Sequence, residues 1–164
     1  MSRAATEIRV KVADYAVARG PQVIATIGLG SCVAIALYDR DTQIGALAHI
    51  LLPNQAMSRE TDNPAKFPDT IVPLMLEQMR EMGTRHARVQ AKIVGGASMF
   101  GQLVSATGIN VGERNVAATR EALAASGVPI IAEDTGLDYG RSVYFHLADG
   151  RLEVRSLKKG DRVI

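Results

Sequence analysis

Two runs rich in β-branched and aliphatic residues, separated by one polar turn, constrain the fold of this chain most. They span Val33 to Tyr38 and Gln43 to Leu51, on either side of Asp39-Arg40-Asp41-Thr42. Apolar runs joined by a short polar segment are typical of a β-hairpin. A second hairpin is predicted at Asp149-Gly150, near the end of the sequence.

Helical and β-rich segments follow one another in the rest of the chain. Further strands are predicted over Glu7 to Val17, Val23 to Ile27, Arg88 to Val94 and Val128 to Ala132. Helices are predicted from an Asp69 N-cap to Met82, over Met99 to Ser105, and from an Asn115 N-cap to Ala125. About eight strands and three helices favour an α+β fold, a layered α/β sandwich with a mixed, largely antiparallel sheet. A doubly wound fold is the alternative, and residues 1–164 are expected to form a single domain.

Composition and charge exclude several classes of function. Lysine and arginine exceed aspartate and glutamate by 19 to 17, and only four tyrosines and three phenylalanines are present, which argues against a nucleic-acid-binding surface. The single cysteine, Cys32, cannot form an internal disulfide, and the charged N-terminus lacks the apolar core of a secretory signal. We therefore expect a cytoplasmic protein that does not insert into a membrane.

The first hairpin brings a thiol and an imidazole together. If Asp39 to Thr42 is a four-residue loop, paired positions sum to 81, and Cys32 lies directly opposite His49 on a face lined by Ala34 and Ala36. Opposed residues of an antiparallel pair have Cβ atoms about 4.5 to 5.5 Å apart. A loop one residue shorter or longer places the two side chains on opposite faces of the sheet.

A cysteine beside a histidine is the arrangement that activates a thiol as a nucleophile. Backbone amides of the turn over Gly28 to Ser31 are positioned to bind an oxyanion. The alternative is that Cys32 is a small buried apolar residue and His49 a hydrogen-bonded core residue. A zinc site that adds His86 and His146 is less favoured, because the spacings typical of zinc ligands are missing.

Five ordered segments resemble the family of chemoreceptor glutamine deamidases, CheD. In the family's order they are LGSCVAIALYD at 29–39, GALAHILLP at 45–53, AKIVGGASMF at 91–100, NVGERN at 110–115, and AEDTG at 132–136 followed by GRSV at 140–143. The resemblance as a whole extends from about Ile8 to Leu157. The resemblance implies a layered fold whose catalytic core is related to that of bacterial toxin deamidases.

The same resemblance implies what the site residues do. The family's catalytic cysteine, histidine and threonine fall on Cys32, His49 and Thr26, and Gly30 and Ser31 become candidates for binding the oxyanion or the substrate. The implied reaction is hydrolysis of selected glutamine side chains in chemoreceptor cytoplasmic domains to glutamate and ammonia, as a part of chemotaxis adaptation, without a metal or an organic cofactor.

Three further expectations concern partners. The loop from Pro53 to Pro68, which follows His49, is a candidate for contact with receptor helices. A CheC-type CheY-phosphate phosphatase is a second candidate partner, and a purely regulatory role through that partner is the main alternative to catalysis. A hydrolase of small amides is a third hypothesis. We expect a monomer.

Overall fold

A computed structural model of the chain describes residues 6–99 and 110–164. Within these ranges ten β-strands form, with these bounds: β1 (Glu7–Arg9), β2 (Asp14–Arg19), β3 (Val23–Leu29), β4 (Val33–Asp39), β5 (Ile44–Ile50), β6 (Gln90–Gly95), β7 (Ile130–Thr135), β8 (Arg141–His146), β9 (Leu152–Arg155) and β10 (Arg162–Val163). The helices are α1 (Pro68–Met82), α2 (Val111–Ala125) and three short 3-10 helices, Gln55–Met57, Pro64–Lys66 and His86–Arg88.

The strands build two five-stranded sheets. The first sheet has the order β1-β3-β8-β9-β10 and the second the order β2-β5-β4-β6-β7. Of the eight strand pairs, six are antiparallel, and only β1 with β3 and β6 with β7 run parallel. These observations confirm the α+β prediction and the mixed, largely antiparallel character of the sheets. The doubly wound alternative is wrong.

Two hydrophobic clusters define three layers. One face of β4 and β5 packs against α1 and α2, through residues such as Ile35, Ala48 and Met75. The opposite face, with Ala34 and Leu47, packs against the first sheet. The order of layers is therefore helices, second sheet and first sheet. The second sheet is the middle layer and is packed on both faces. The space between the two sheets contains the candidate site.

The prediction of one strand over Glu7 to Val17 is wrong. β1 belongs to the first sheet and β2 to the second, and the chain crosses between the sheets in the four intervening residues. Ala13 has a φ of 59°, a left-handed conformation that interrupts a strand. Val10, at the start of the crossing, donates its N–H to the carbonyl of Ala25 in β3.

Both predicted helix caps are wrong, although both helices exist. Pro68 takes the first position of α1, since it needs no amide hydrogen there, and this places Asp69 in the first turn instead of at the cap. α2 begins five residues earlier than predicted, because the side chain of Asn110 accepts a hydrogen bond from the Glu113 N–H at 3.0 Å. Asn115 therefore lies inside the helix. The helix predicted over Met99 to Ser105 falls outside the described residues apart from Met99.

Candidate active site between the two sheets

The register of the β4–β5 hairpin differs from the predicted one by two residues. Ala34, not Cys32, lies opposite His49, and the loop consists of residues 40–43. The loop starts one residue later than predicted, because Asp39 belongs to β4. There its buried carboxylate accepts hydrogen bonds from Arg88 at 3.0 and 3.2 Å. Gln43 then closes the loop with a φ of 57°.

A shift of two residues keeps every side chain on its predicted face. Cys32 packs in the same cluster as Ala34, Ala36 and Leu47, between the two sheets, and His49 shares the face of Ala34. Cys32 is therefore a diagonal neighbour of His49 instead of a directly opposed one. Diagonal positions are about 7 to 8 Å apart, within reach of long and aromatic side chains. The predicted face is confirmed and the predicted register is wrong.

Thr26 connects the two sheets at His49. Its Oγ1 lies 2.7 Å from the carbonyl oxygen of Val10 and 2.7 Å from Nδ1 of the imidazole. A carbonyl oxygen only accepts, so the hydroxyl donates to Val10 and its oxygen accepts from the Nδ1–H of His49. The neutral imidazole therefore carries its proton on Nδ1. Its Nε2 is buried, is unprotonated, and has no hydrogen-bond partner among the described residues.

Burial sets the protonation of both groups. The pKa of His49 falls from 6.5 to about 4 because the charged ring is removed from water. The pKa of the Cys32 thiol rises, mainly because of its own burial, although the N–H of Cys32 favours the thiolate. Near neutral pH Cys32 is consequently a thiol and His49 a neutral imidazole, and the two do not form an ion pair in the resting protein.

The turn that carries Cys32 is held by the loop after β6 and by α2. Gly96 and Ala97 donate their N–H groups to the carbonyls of Cys32 and Gly30, at 2.8 and 2.9 Å. The side chain of Asn115 donates to the carbonyl of Ser31 at 2.8 Å. These contacts fix the backbone of Gly30 and Ser31, and their assignment to oxyanion or substrate binding stays a prediction.

Asn115 is a residue of the site that the sequence interpretation missed. The sequence predicts a helix cap at Asn115, whereas the structure buries this residue completely inside α2. Besides its contact with Ser31, its Nδ2 donates to the carbonyl of Leu51 at 3.1 Å. The sequence contains a signal for this position, because Asn110 with Glu113 three residues later is an N-cap motif. A helix that begins after Asn110 has Asn115 inside it, on the buried face.

A buried ion pair was also missed. Arg141 Nε lies 3.0 Å from an Asp134 carboxylate oxygen, and both side chains are almost fully buried. The pair joins β7 of the second sheet to β8 of the first, and Arg141 lies opposite Leu29, where β3 leads into the Cys32 turn. The strand predicted over Val128 to Ala132 runs from Ile130 to Thr135 instead, so Asp134 lies within β7.

The remaining histidines lie elsewhere. His86 Nε2 contacts the carbonyl of Ser126, and His146 faces Glu153 in the first sheet. Among the described residues no group of three or more histidine, cysteine, aspartate or glutamate side chains is arranged to bind a metal ion.

The loop over Pro53 to Pro68 is anchored at both ends. Leu51 and Leu52 donate their N–H groups to the carbonyl of Lys66, and the Asn63 side chain donates to the carbonyl of Ala13. Residues 59–63 between these anchors are exposed. Neither α1 nor α2, the two α-helices of the described part of the chain, has the length and hydropathy needed to cross a membrane.

Comparison with known proteins agrees with the motifs. The family model described as CheD chemotactic sensory transduction matches residues 51–156. A protein of Caldanaerobacter subterraneus named probable chemoreceptor glutamine deamidase CheD is 43% identical over 96% of this chain and 97% of its own. The chemoreceptor glutamine deamidase CheD of Thermotoga maritima is 41% identical over 94% of both chains.

A third relative, probable chemoreceptor glutamine deamidase CheD 2 of Geobacter metallireducens, is 48% identical over 93% of this chain and 94% of its own. Matches of this identity extend over nearly the whole of each protein. The chain belongs to the CheD family.

Proposed function

We propose that this protein hydrolyses glutamine side chains in the cytoplasmic domains of chemoreceptors, and that Cys32 is the nucleophile. The observation that carries the proposal is the hydrogen bond from His49 Nδ1 to Thr26, which leaves a basic Nε2 without a partner among the described residues, on the face that also holds Cys32. The names of the relatives supply the reaction and the substrate class.

The reaction begins with proton transfer from the Cys32 thiol to His49 Nε2. The thiolate attacks the carboxamide carbon, the tetrahedral intermediate collapses to a thioester, and ammonia leaves with the proton from the imidazolium. His49 Nε2 then takes a proton from water, whose oxygen attacks the thioester. The products are glutamate, ammonia and the free thiol, so water is the only co-substrate. Thr26 keeps Nδ1 protonated throughout, which reserves Nε2 for the transfers.

The turn of Gly30 and Ser31 stabilises the oxyanion. The carbonyls of Gly30 and Ser31 are bound by the Ala97 N–H and the Asn115 side chain. In each of these trans peptides the amide hydrogen, on Ser31 or Cys32, points opposite to its bound carbonyl. An amide that donates to a developing oxyanion contributes about 3 to 4 kcal/mol in measured cases.

The substrate is a helical protein surface, so contacts beyond the glutamine are needed. We assign one of them to the exposed residues 59–63, in the loop that follows His49. The proposal includes a cytoplasmic location, since the substrate domain is cytoplasmic, and a monomeric single-domain enzyme that needs no cofactor.

The test combines the purified protein with a chemoreceptor cytoplasmic fragment and follows the conversion of amide to acid at each glutamine by peptide mass spectrometry. Cys32→Ala and His49→Gln are expected to abolish the conversion. His86→Gln, a change at an exposed histidine, is the matched control and should retain it. Equal conversion by wild type and Cys32→Ala removes the thiol from the mechanism.

A CheC-type phosphatase is the second candidate partner and is added as a second ligand in the same experiment. Tight binding of the phosphatase, together with no conversion of any receptor glutamine, supports a regulatory protein in place of an enzyme. Conversion of free glutamine but not of the receptor fragment supports a hydrolase of small amides.

A further inference from the structure

All three carbonyls of the turn that carries the thiol accept hydrogen bonds from the loop after β6 or from α2. Gly30 and Cys32 are bound by the backbone amides of Ala97 and Gly96, at 2.9 and 2.8 Å. Ser31, between them, is bound by the Asn115 side chain at 2.8 Å. The central contact is therefore the only one of the three that a side-chain substitution can remove while leaving the backbone partners in place.

The Asn115 side chain bridges the segment that precedes β4 and the segment that follows β5. Its Nδ2 donates to Ser31, one residue before Cys32, and to Leu51, two residues after His49, at 2.8 and 3.1 Å. The reverse orientation of the amide would place Oδ1 against two carbonyl oxygens, so the hydrogen-bond partners settle which atom is which.

The Oδ1 atom of Asn115 indicates that this side chain does more than stabilise the fold. Oδ1 of Asn115 is buried and has no partner among the described residues, which opposes folding. An apolar side chain of similar size would avoid that desolvation cost but would hold neither carbonyl. The polar residue is thus explained by the two contacts it makes.

We infer that Asn115 is a positioning residue, which sets the Cys32 turn against the end of the His49 strand and orients the Ser31–Cys32 peptide for catalysis. The inference rests on the proposed function. In a trans peptide the N–H points opposite to the C=O, so a Ser31 carbonyl held on α2 directs the Cys32 N–H away from the helix. That N–H is the group that favours the Cys32 thiolate.

The test compares Asn115→Leu with Thr119→Val, one turn later on α2. Thr119 is a matched control, because it is also fully buried and its hydroxyl also lacks a partner among the described residues. Two readouts are measured: kcat and KM for the receptor fragment, and the rate of Cys32 alkylation by iodoacetamide as a function of pH. Alkylation needs no receptor, so it reports on the turn even if the substrate is wrongly assigned.

We expect Thr119→Val to behave like the wild type in both assays. In Asn115→Leu we expect kcat to fall by about tenfold or more with KM nearly unchanged, since small misplacements of reacting groups cost rate rather than affinity. The pH midpoint of alkylation should move upward. Asn115→Ser, whose short hydroxyl cannot reach both carbonyls, should show the same two changes and serves if the leucine variant does not fold.

A folded Asn115 variant with normal kcat and a normal alkylation profile overturns the inference, and so does a defect confined to KM. Failure of the wild type to convert receptor glutamines contradicts the proposed function instead. In that case the alkylation profiles of the variants still decide whether Asn115 positions the turn.

Discussion

A threonine hydroxyl decides which nitrogen of His49 is basic. Because Thr26 donates to the carbonyl of Val10, its oxygen is left to accept from Nδ1, and the lone pair of the ring lies on Nε2. Val10 belongs to the crossing between the two sheets, so the tautomer depends on backbone that is distant from the hairpin in sequence. The proposed proton transfers need this tautomer.

Replacing Thr26 with valine removes the acceptor while keeping the shape of the side chain. We expect kcat for receptor glutamines to fall by about 10²-fold, the scale on which general-base catalysis contributes, with KM little changed. Thr26→Ser keeps the hydroxyl and should retain most of the activity. Steady-state kinetics on the receptor fragment measure both, and equal activity of the valine and serine variants would rule out the tautomer argument.

His49 also makes stability depend on pH. Its pKa is about 4 in the folded protein and 6.5 in the unfolded chain, so the unfolded chain binds more protons between these values. Stability is therefore complete above about pH 6.5 and decreases as the pH falls toward 4, by about 3 kcal/mol in all. We expect this contribution to the free energy of unfolding to disappear in His49→Gln.

Denaturant titrations at several pH values measure that slope. The exposed His86→Gln variant is the control and should keep the slope, since it leaves His49 and its surroundings unchanged. Carboxylates such as Asp39 add their own acid sensitivity at lower pH, because their pKa is lowered by hydrogen bonds to Arg88 and Thr42 against the effect of burial. An identical slope for His49→Gln and wild type between pH 4 and 6.5 contradicts the assignment.

The shared face of Cys32 and His49 could be predicted from the sequence, because alternation along a strand survives any even shift of register. The register itself could not be predicted from alternation. It depends on Asp39, whose carboxylate is held in the strand by Arg88, a residue 49 positions later in the chain. Long-range ion pairs of this kind leave no local pattern in a single sequence.

At the scale of elements, close backbone contact brings α2 to the site. A Cβ on Gly112 would lie 2.3 Å from the carbonyl oxygen of Ala97, and one on Gly95 would lie 2.3 Å from that of Cys32. The absence of these two side chains lets the start of α2, the loop after β6 and the Cys32 turn meet. Residues 95–97 and 110–115, which belong to two of the motif segments, therefore support the turn that carries Cys32.

Gly112→Ala tests that contact. Alanine favours a helix by about 1 kcal/mol over glycine, but here its Cβ meets backbone that cannot rotate away, and overpacking costs about 1 to 3 kcal/mol. We expect a net loss in the free energy of unfolding and a lower rate of glutamine conversion. Gly140→Ala is the control, since its Cβ comes no closer than 3.7 Å to the Leu29 carbonyl. Equal stability of the two variants would refute the close-contact argument.

Helix existence was predictable from apolar spacing, whereas the helix starts needed more than the type of the cap residue. Asn110 and Asn115 are equally good caps by residue type, and the glutamate three residues after Asn110 is the sequence signal that separates them. The hydrogen bond from the Glu113 N–H to Asn110 shows which cap is used. The split of β1 from β2 was similarly hidden, because the crossing has the same β-rich composition as the strands on either side of it.

The whole molecule is a pair of sheets with its candidate site between them. Thr26 comes from the first sheet and His49 from the second, and Cys32 lies in the turn that leads into β4 of the second sheet. The alignment of these residues therefore depends on how the sheets are joined. Asp134 and Arg141 join them directly, at the end where β3 leads into the Cys32 turn. The sequence predicted the hairpins and a layered fold. It could not predict that Asp134 of β7 and Arg141 of β8 form an ion pair, because that contact exists only once the two sheets have packed together.

Removing one partner of this ion pair should destabilise the whole fold. In Asp134→Asn the Arg141 guanidinium stays buried without a counter-charge, and we expect a loss of about 3 to 5 kcal/mol in the free energy of unfolding. Asp138→Asn is the control, because its ion pair with Lys158 is exposed and exposed ion pairs contribute little to stability. Replacing both buried partners, as in Asp134→Leu with Arg141→Met, should recover most of the loss, because no uncompensated charge is left inside. Denaturant unfolding measures the free energy of unfolding of the three variants. An Asp134→Asn protein as stable as the Asp138→Asn control would show that the sheets are held together without the ion pair.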